Sequence, residues 1–375
     1  MTIVPVQLSE RITLLDALRG FTLLGVLLAN LPAFAFPESH EIHHWVNVLS
    51  DILISTKFIT LLSILFGAGF YYQWMRLHEQ PNFQVFYLKR MLWLFLIGSV
   101  HAHLFWFGDI LRIYALSGAL MLLFPLHNDK VLLRWAIALI VPLTALAFIG
   151  QSMTPYLTED YPTGEGIKNA FMHGNYREVL GMNWAIDPIR HFYKDSILTL
   201  TTTLGKMLLG AWLASRGFFA DPLSFMKSQR AWIWSGLLIG LPSSITYWAL
   251  STGRFEIDSP VMLWIPFVVA GGLVLHSLLY LSLFVRWFNR IQTSRLSQLL
   301  QSTGRMSLTN YLVQTVAGIT IFYGIGFGLA GTMNHTAVYG YGIIFFLLQM
   351  LVSNWWLRRM PMGPVEWMWR KMTYR

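Results

Sequence analysis

Long runs of apolar residues, separated by short polar segments, dominate this chain. A membrane-spanning helix needs about 20 mostly apolar residues, because a rise of ~1.5 Å per residue must cover ~30 Å of hydrocarbon. Ten such runs occur in the sequence, at residues 15–36, 58–75, 86–107, 110–126, 131–151, 191–216, 231–250, 261–285, 307–329 and 337–357. The pattern predicts an all-α, polytopic integral membrane bundle of about ten transmembrane helices.

The basic residues between the runs indicate the orientation. If the amino terminus is cytoplasmic, loops bearing Arg76, Lys130 and Arg216 fall on the cytoplasmic side, whereas acidic residues such as Glu159 and Asp160 fall outside. This is the positive-inside distribution. We therefore predict that both termini are cytoplasmic.

Composition narrows the class of protein. The chain has 375 residues, of which 55% are hydrophobic and 12% charged, and it contains no cysteine. These values disfavour a soluble domain, and the absence of cysteine excludes disulfides and thiol nucleophiles. The net charge of +9 follows the topology and does not indicate nucleic-acid binding, so membrane lipids are the expected neighbours.

The ten runs divide into two halves within one predicted membrane domain, residues 1–375. Residues 1–151 form a five-helix half and residues 191–375 form a second five-helix half with a cytoplasmic tail. Residues 152–190 form a long outer loop with a short helix near 167–180. The sequence leaves the oligomeric state open, and a homodimer is one option.

Four polar residues are predicted at the inner level of the spans. They are Arg19, Lys206, Arg305 and Asn310. Polar groups inside membrane spans are costly, so each is a candidate site residue, although some serve as struts between helices. If they face the bundle interior, they form a largely cationic cluster near the cytoplasm.

A second polar level is predicted near the outer face, with Asn30, His101 and Asp109. Asp109 and Arg112 share a helix face and also fit a structural ion pair, and a lone buried histidine also fits an ordinary hydrogen-bond partner. Because His101 and His103 lie about 200° apart on a helix, only one of them is expected to face the bundle. Outside the spans, His40, His43 and His44 fit a solvated helix start better than a metal site, so no metal is predicted.

Several motifs resemble those of one family of bacterial membrane proteins, the YeiB-like family (domain of unknown function 418). They are Arg11 with residues 15–21 and Asn30, residues 57–58 and 65–70, Gly98 with His101 and residues 108–111, residues 205–210, residues 304–306 with 308–311, and residues 363–370. The resemblance covers nearly the whole chain and implies a location in the bacterial cytoplasmic (inner) membrane.

The opening motif is also similar to that of the transmembrane acyltransferases, which include heparan glucosaminide N-acetyltransferase and membrane O-acyltransferases. That resemblance implies a cytoplasmic acyl-CoA or acetyl-CoA donor and an acceptor on the far side of the membrane. Many O-acyltransferases have a histidine where this chain has Asn30, so no catalytic histidine carries over to the first span.

Two hypotheses for function follow. In the first, the protein transfers an acyl group, and Arg19, Lys206, Arg305 and Asn310 bind the acyl-CoA donor. His101, oriented by Asp109, acts as the base, and Asn30 donates a hydrogen bond to the oxyanion. The acceptor is a glycan, lipid or small amine. In the second, the same polar levels line the path of a transporter or of a flippase for lipids or small molecules. A membrane scaffold without turnover is a third option.

Overall fold

The protein is a bundle of α-helices. The computed structural model describes residues 11–37, 44–153, 162–189, 194–254 and 260–374, and within these ranges it contains no β-strand. The helices are α1 Thr13–Ala35, α2 His44–Leu53, α3 Lys57–Leu77, α4 Phe83–Leu104, α5 Leu111–Leu120, α6 Asp129–Met153, α7 Gly164–His173, α8 Tyr176–Ala185, α9 Lys194–Ser215, α10 Met226–Ser235, α11 Leu241–Ser251, α12 Ile265–Ile291, α13 Arg295–Arg305, α14 Ser307–Phe322, α15 His335–Leu357 and α16 Pro364–Tyr374.

Eight helical segments among the described residues are long and apolar enough to cross a membrane. They are Thr13–Ala35, Trp45–Leu77, Phe83–Leu104, Asp129–Ile149, Ser196–Ser215, Pro222–Ser251, Met262–Ile291 and His335–Leu357. The prediction of a multi-pass helical membrane bundle is therefore confirmed. The total of ten spans and the side on which the termini lie stay predictions.

The other two predicted spans correspond to shorter helices. The run 110–126 contains the apolar helix Leu111–Leu123. The run 307–329 contains α14, which has 16 residues. This helix ends at Phe322 because the following glycine-rich segment turns back, and its amide groups at Phe327, Leu329 and Ala330 donate to carbonyls of the last helical turn. A helix through residue 329 was therefore the wrong expectation.

Close contact between α1 and α13 brings the two halves of the chain together. A Cβ atom on Gly20 would meet the backbone carbonyl of Leu300, and one on Gly304 would meet the carbonyl of Asp16. Only glycine allows this approach, which is how small residues act at helix interfaces in membranes. The contact sets Asp16 and Arg19 of α1 beside Arg305 of α13.

Helix α3 uses opposite faces for packing and for the central cavity described below. Its Ile64 and Gly67 pack against α9, where the backbone approaches Gly210 and Met207. A different stripe of α3, formed by Leu62, Phe66, Gly69 and Gln73, faces the cavity. Helix α3 therefore separates α9 from the cavity.

The predicted outer loop forms two helices, α7 and α8, where one was expected. Asn183 of α8 is fully buried; it accepts from the amide of Phe107 at 3.3 Å and donates to the carbonyl of Phe105 at 3.1 Å. The Tyr176 hydroxyl donates to the carbonyl of Leu104 at 2.9 Å. The two side chains satisfy backbone groups just beyond and at the end of α4, so this segment covers the end of the bundle at which α4 ends.

Candidate functional site: an arginine-lined cavity and a buried histidine network

A cavity enters the bundle at the end that carries α16 and the start of α1, the end predicted to face the cytoplasm. Its mouth has a volume of about 450 Å³ and its deeper part about 260 Å³. The two parts share the residues Arg11, Asp16, Arg19, Gly69, Gln73, Arg90, Arg305, Glu366 and Trp369. We call the combined space the inner cavity.

Positive charge exceeds negative charge around the inner cavity. Its arginines are Arg11, Arg19, Arg76, Arg90, Arg305 and Arg370, and its carboxylates are Asp16 and Glu366. Among the lining residues that the structure describes, six arginines stand against two carboxylates. Asp16 interacts with two of the arginines, since its carboxylate lies 3.5 Å from Arg11 and 3.3 Å from Arg19. This concentration of arginine side chains favours an anionic ligand.

Two of the predicted ligand-binding residues, Arg19 and Arg305, lie on this cavity. The Arg19 guanidinium lies over Gly69, where a Cβ atom would come within 2.8 Å of it. Arg305 donates to the carbonyl of Pro361 at 3.1 Å, while its buried Nε has no hydrogen-bond partner among the described residues. Burial, followed by the nearby charge of Arg11, lowers the pKa of Arg305. Arg305 thus retains an unused donor.

Helix α16 forms one wall of the inner cavity. The Glu366 carboxylate accepts from the amides of Leu308 at 2.7 Å and Thr309 at 2.9 Å, at the amino terminus of α14. Burial raises the pKa of Glu366, although hydrogen bonds from Thr309 oppose that shift. Trp369 donates from Nε1 to the Arg90 carbonyl at 2.9 Å, and the Arg90 guanidinium lies 4.1 Å from the Trp369 ring centroid. These contacts fix α16 against α4 and α14.

The deeper part of the inner cavity is mostly apolar. Its lining includes Leu23, Leu62, Phe66, Phe70, Met91, Leu94, Ile110, Leu111, Tyr114 and Tyr311. The Tyr311 ring lies 5.2 Å from the ring of His101, measured between centroids. His101 does not line the cavity, so Tyr311 separates the cavity from His101. The inner cavity is therefore amphipathic, with a cationic mouth and an apolar inner end.

A closed polar cluster lies behind Tyr311, and we call it the outer network. It comprises His101, His103, Asp109, Arg112, Asp187 and Thr315. His101 Nδ1 lies 2.8 Å from Asp109 Oδ2, and His101 Nε2 lies 3.0 Å from Thr315 Oγ1. His101 is only 2% exposed. Asp109 therefore lies where it orients the imidazole, as the sequence suggested.

Arg112 joins the two carboxylates of the outer network. It donates from both terminal nitrogens to Asp187 at 2.8 Å and from its amide to Asp109 at 2.9 Å. His103 Nε2 lies 3.2 Å from Asp187, so both histidines contact the network, contrary to the expectation that only one would. Burial alone raises the pKa of Asp187, but its bonds to Arg112 outweigh burial and hold that pKa below its ordinary value.

Lys206 does not lie on the inner cavity, in contrast to the sequence expectation. It belongs to α9, which packs against α3, α5 and α6. Its neighbours Gly205 and Met207 contact α6 and α3, and α3 stands between α9 and the cavity. Counting residues along a span predicts the depth of Lys206 in the membrane. It does not predict how α9 is rotated about its axis, which decides the direction of the side chain.

Asn310 and Asn30, the two asparagines predicted as site residues, do not lie where the sequence analysis expected them. Asn310 is buried and donates to the Thr303 carbonyl and the Ser353 hydroxyl, both at 3.0 Å, so it links α13, α14 and α15 instead of facing the cavity. Tyr311 next to it faces the cavity. Asn30 is half-buried on α1 and makes no hydrogen bond to the described members of the outer network. Its proposed catalytic role stays a prediction.

Several residues of the site were missed as site residues from sequence. They are Arg76, Arg90, Asp187, Thr315, Glu366, Trp369 and Arg370. Glu366, Trp369 and Arg370 belong to the carboxy-terminal motif, which was the available signal. His40 and His43 lie outside the described residues.

Comparisons with known proteins place the chain among bacterial proteins of similar length. A family model described as protein of unknown function (DUF418) matches residues 213–375. The chain is 31% identical to the uncharacterized protein YxaH of Bacillus subtilis (strain 168), over 99% of this chain and 96% of that protein. It is 30% identical to the uncharacterized protein YeiB of Escherichia coli (strain K12), over 98% of this chain and 97% of that protein. An uncharacterized 39.9 kDa protein from the amylase 3′ region of Bacillus acidopullulyticus is 27% identical over 99% of this chain and 96% of that protein.

Proposed function

Starting from the finding that the chain belongs to the YeiB-like (DUF418) family, we propose that it is an acyltransferase of the bacterial cytoplasmic membrane. It takes an acyl group from cytoplasmic acyl-CoA and delivers it to a glycan, lipid or amine on the outer face. One observation carries the proposal: the inner cavity joins an arginine-rich mouth to an apolar end that stops one side chain short of a buried histidine.

The inner cavity matches the chemistry of an acyl-CoA. The phosphates of the donor are polyanionic, and arginine binds phosphate with paired, charge-assisted hydrogen bonds. Arg19 and Arg305 lie in both parts of the cavity and are the leading phosphate ligands. The acyl end then extends along Phe66, Met91 and Ile110 toward Tyr311, which must turn aside for the thioester to reach His101.

His101 is the proposed base. Asp109 holds Nδ1, so Nε2 is the nitrogen that removes a proton from an attacking hydroxyl or amine. Attack forms the new bond to the thioester carbon, the C–S bond breaks, and the proton passes from His101 to the leaving CoA sulfur. Burial of His101, Asp109 and Thr315 limits the access of water to this step.

The first test is donor binding by the purified full-length protein, measured by calorimetry with acetyl-CoA and palmitoyl-CoA. Arg19→Ala and Arg305→Ala should each weaken binding about 10- to 100-fold, since a hydrogen bond to a charged group contributes roughly 1.5–3 kcal/mol. Lys206→Ala is the matched control, a cation within the membrane but off the cavity, and should leave affinity unchanged. Equal losses in all three variants would contradict this site.

The second test separates binding from chemistry. His101→Ala should keep donor affinity and lower the rate of CoA release by about 10²- to 10⁴-fold, the usual contribution of a general base. A wild-type protein that binds neither donor at millimolar concentration would refute the proposal.

A second candidate function is transport of a phosphate-bearing amphiphile, such as a lipid. The separation of His101 from the inner cavity by Tyr311 favours it, because the cavity then serves binding without contact with the base. In vesicles, lipid flux that depends on Arg19 without any CoA release would support transport over acyl transfer.

A further inference from the structure

Thr315 of α14 completes a carboxylate–imidazole–hydroxyl series with Asp109 and His101. Its Oγ1 lies 3.0 Å from His101 Nε2, on the side of the ring opposite the 2.8 Å contact between Nδ1 and Asp109. Thr315 is 2% exposed. The three residues come from α4, the α4–α5 connection and α14, so the arrangement arises only in the folded bundle.

The direction of the hydrogen bonds follows from the chemistry of the groups. An ionised carboxylate only accepts hydrogen bonds, so a neutral His101 imidazole beside Asp109 carries its proton on Nδ1 and accepts at Nε2. In this neutral tautomer, which base catalysis requires, the Thr315 hydroxyl donates to Nε2. A hydroxyl whose proton points at an oriented base is an activated nucleophile, and threonine is among the residues that act in this way.

The side chain of Thr315 departs from the usual behaviour of hydroxyl residues in these helices. Thr320 on the same helix donates to the carbonyl of Val316 at 2.8 Å, four residues earlier, and Ser63 does the same toward Ile59. Among the described residues, the only hydrogen bond of the Thr315 side chain is with His101. Its hydroxyl is therefore committed to the histidine instead of to its own helix.

Thr315 also lies between the inner cavity and the outer end of the bundle. It is one helical turn beyond Tyr311, which lines the inner cavity, and on the same face of α14. His101 connects it, through Asp109 and Arg112, to Asp187, which lies two residues beyond the end of α8. An acyl group on Thr315 would thus have left the donor pocket without having reached the acceptor.

We propose that Thr315 is the nucleophile that carries the acyl group across the membrane as an O-acyl threonine; this inference rests on the proposed acyl transfer. In the first step Oγ1 bonds to the thioester carbon, the C–S bond breaks, and the hydroxyl proton moves through His101 Nε2 to the CoA sulfur. In the second, an acceptor hydroxyl or amine gives its proton to His101 and attacks the ester. The bond between Thr315 Oγ1 and the acyl carbon breaks, and His101 returns the proton to Oγ1, which restores the Thr315 hydroxyl.

The experiment omits the acceptor and uses purified full-length protein with radiolabelled acetyl-CoA and, separately, palmitoyl-CoA. The wild-type protein should release a burst of about one CoA per chain. It should retain a hydroxylamine-labile label that peptide mass spectrometry assigns to Thr315. Thr315→Ser should keep the burst and the label, and Thr315→Val should lose both. Thr320→Val, which removes a hydroxyl bonded within the same helix, should behave as wild type.

The outcomes distinguish this inference from the proposed function. Multiple turnover with acceptor but no label on Thr315, or a Thr315→Val variant as active as wild type, would overturn the acyl-threonine and leave acyl transfer standing. A wild-type protein that neither binds nor cleaves either donor would overturn both. Should Thr315→Val fail to fold, the position of the label in wild type and in Thr315→Ser decides the question.

Discussion

The inner cavity and the outer network place charges inside the same bundle in opposite ways. Among the described residues that line the inner cavity, arginines outnumber carboxylates by six to two, and Asp16 pairs with Arg11 and Arg19. In the outer network, Arg112 and the two histidines pair with Asp109 and Asp187, and all of these residues except His103 are buried.

The difference indicates separate tasks. Buried charge is costly unless it is paired, so an excess of cations around a cavity persists where an anionic ligand will enter. A fully paired cluster instead holds side chains in one geometry. In the proposed function, the inner cavity binds the ligand and the outer network positions His101 and Thr315.

The largest expected effect comes from breaking the paired cluster. Arg112→Ala leaves Asp187 buried without its main partner and should destabilise the protein by about 3–5 kcal/mol. The matched control is Arg216→Ala, which breaks an exposed 3.0 Å pair with Asp129 and should cost about 0–1 kcal/mol. Thermal unfolding in detergent measures both. Similar losses would show that the outer network is not a structural unit.

A smaller effect should follow from separating α1 and α13. Gly304→Ala places a methyl group against the Asp16 carbonyl and should cost about 1–3 kcal/mol. It should also weaken acyl-CoA binding, because Asp16, Arg19 and Arg305 move apart. Gly340→Ala, whose Cβ meets nothing within 4 Å, is the control and should be neutral or slightly stabilising. Unchanged binding in Gly304→Ala would separate this crossing from the cavity.

The smallest effects concern pH and have opposite signs in the two regions. Asp187 has a lowered pKa, so its stabilisation is present above its unfolded value of about 3.9 and is lost as the pH falls through the folded value. Glu366 has a raised pKa, so its contribution is present below about 4.3 and is lost as the pH rises through its folded value.

Melting curves of wild type, Asp187→Asn and Glu366→Gln between pH 3 and 7 test these signs. The deficit of Asp187→Asn relative to wild type should narrow toward low pH. The stability of Glu366→Gln relative to wild type should increase toward neutral pH. Parallel curves for the three proteins would refute the opposite environments of the two carboxylates.

Sequence predicted the fold class because apolar run length and loop charge report directly on membrane insertion. It placed α14 about two turns too long, since apolar glycine-rich residues read as helix although Gly328 and Gly331 take left-handed backbone angles. It also expected one helix in the outer loop where α7 and α8 form.

For the site, charges within or next to the apolar runs identified Arg19 and Arg305, and proximity along the chain identified His101 with Asp109. The sequence predicted Lys206 and Asn310 at the cavity only from their depth in the spans. Lys206 lies on α9, behind α3, and Asn310 links α13, α14 and α15. Thr315 could not be identified from the sequence because it lies 214 residues from His101 along the chain. Only the contact with His101 in the folded protein distinguishes it from other threonines.

The most direct test of the account is a structure determined with a non-cleavable thioether analogue of acyl-CoA. We expect phosphate density within hydrogen-bonding distance of Arg19 and Arg305, and an acyl chain directed past Phe66 toward Tyr311. An inner cavity that stays empty at saturating analogue, or an analogue bound away from these arginines, would contradict it.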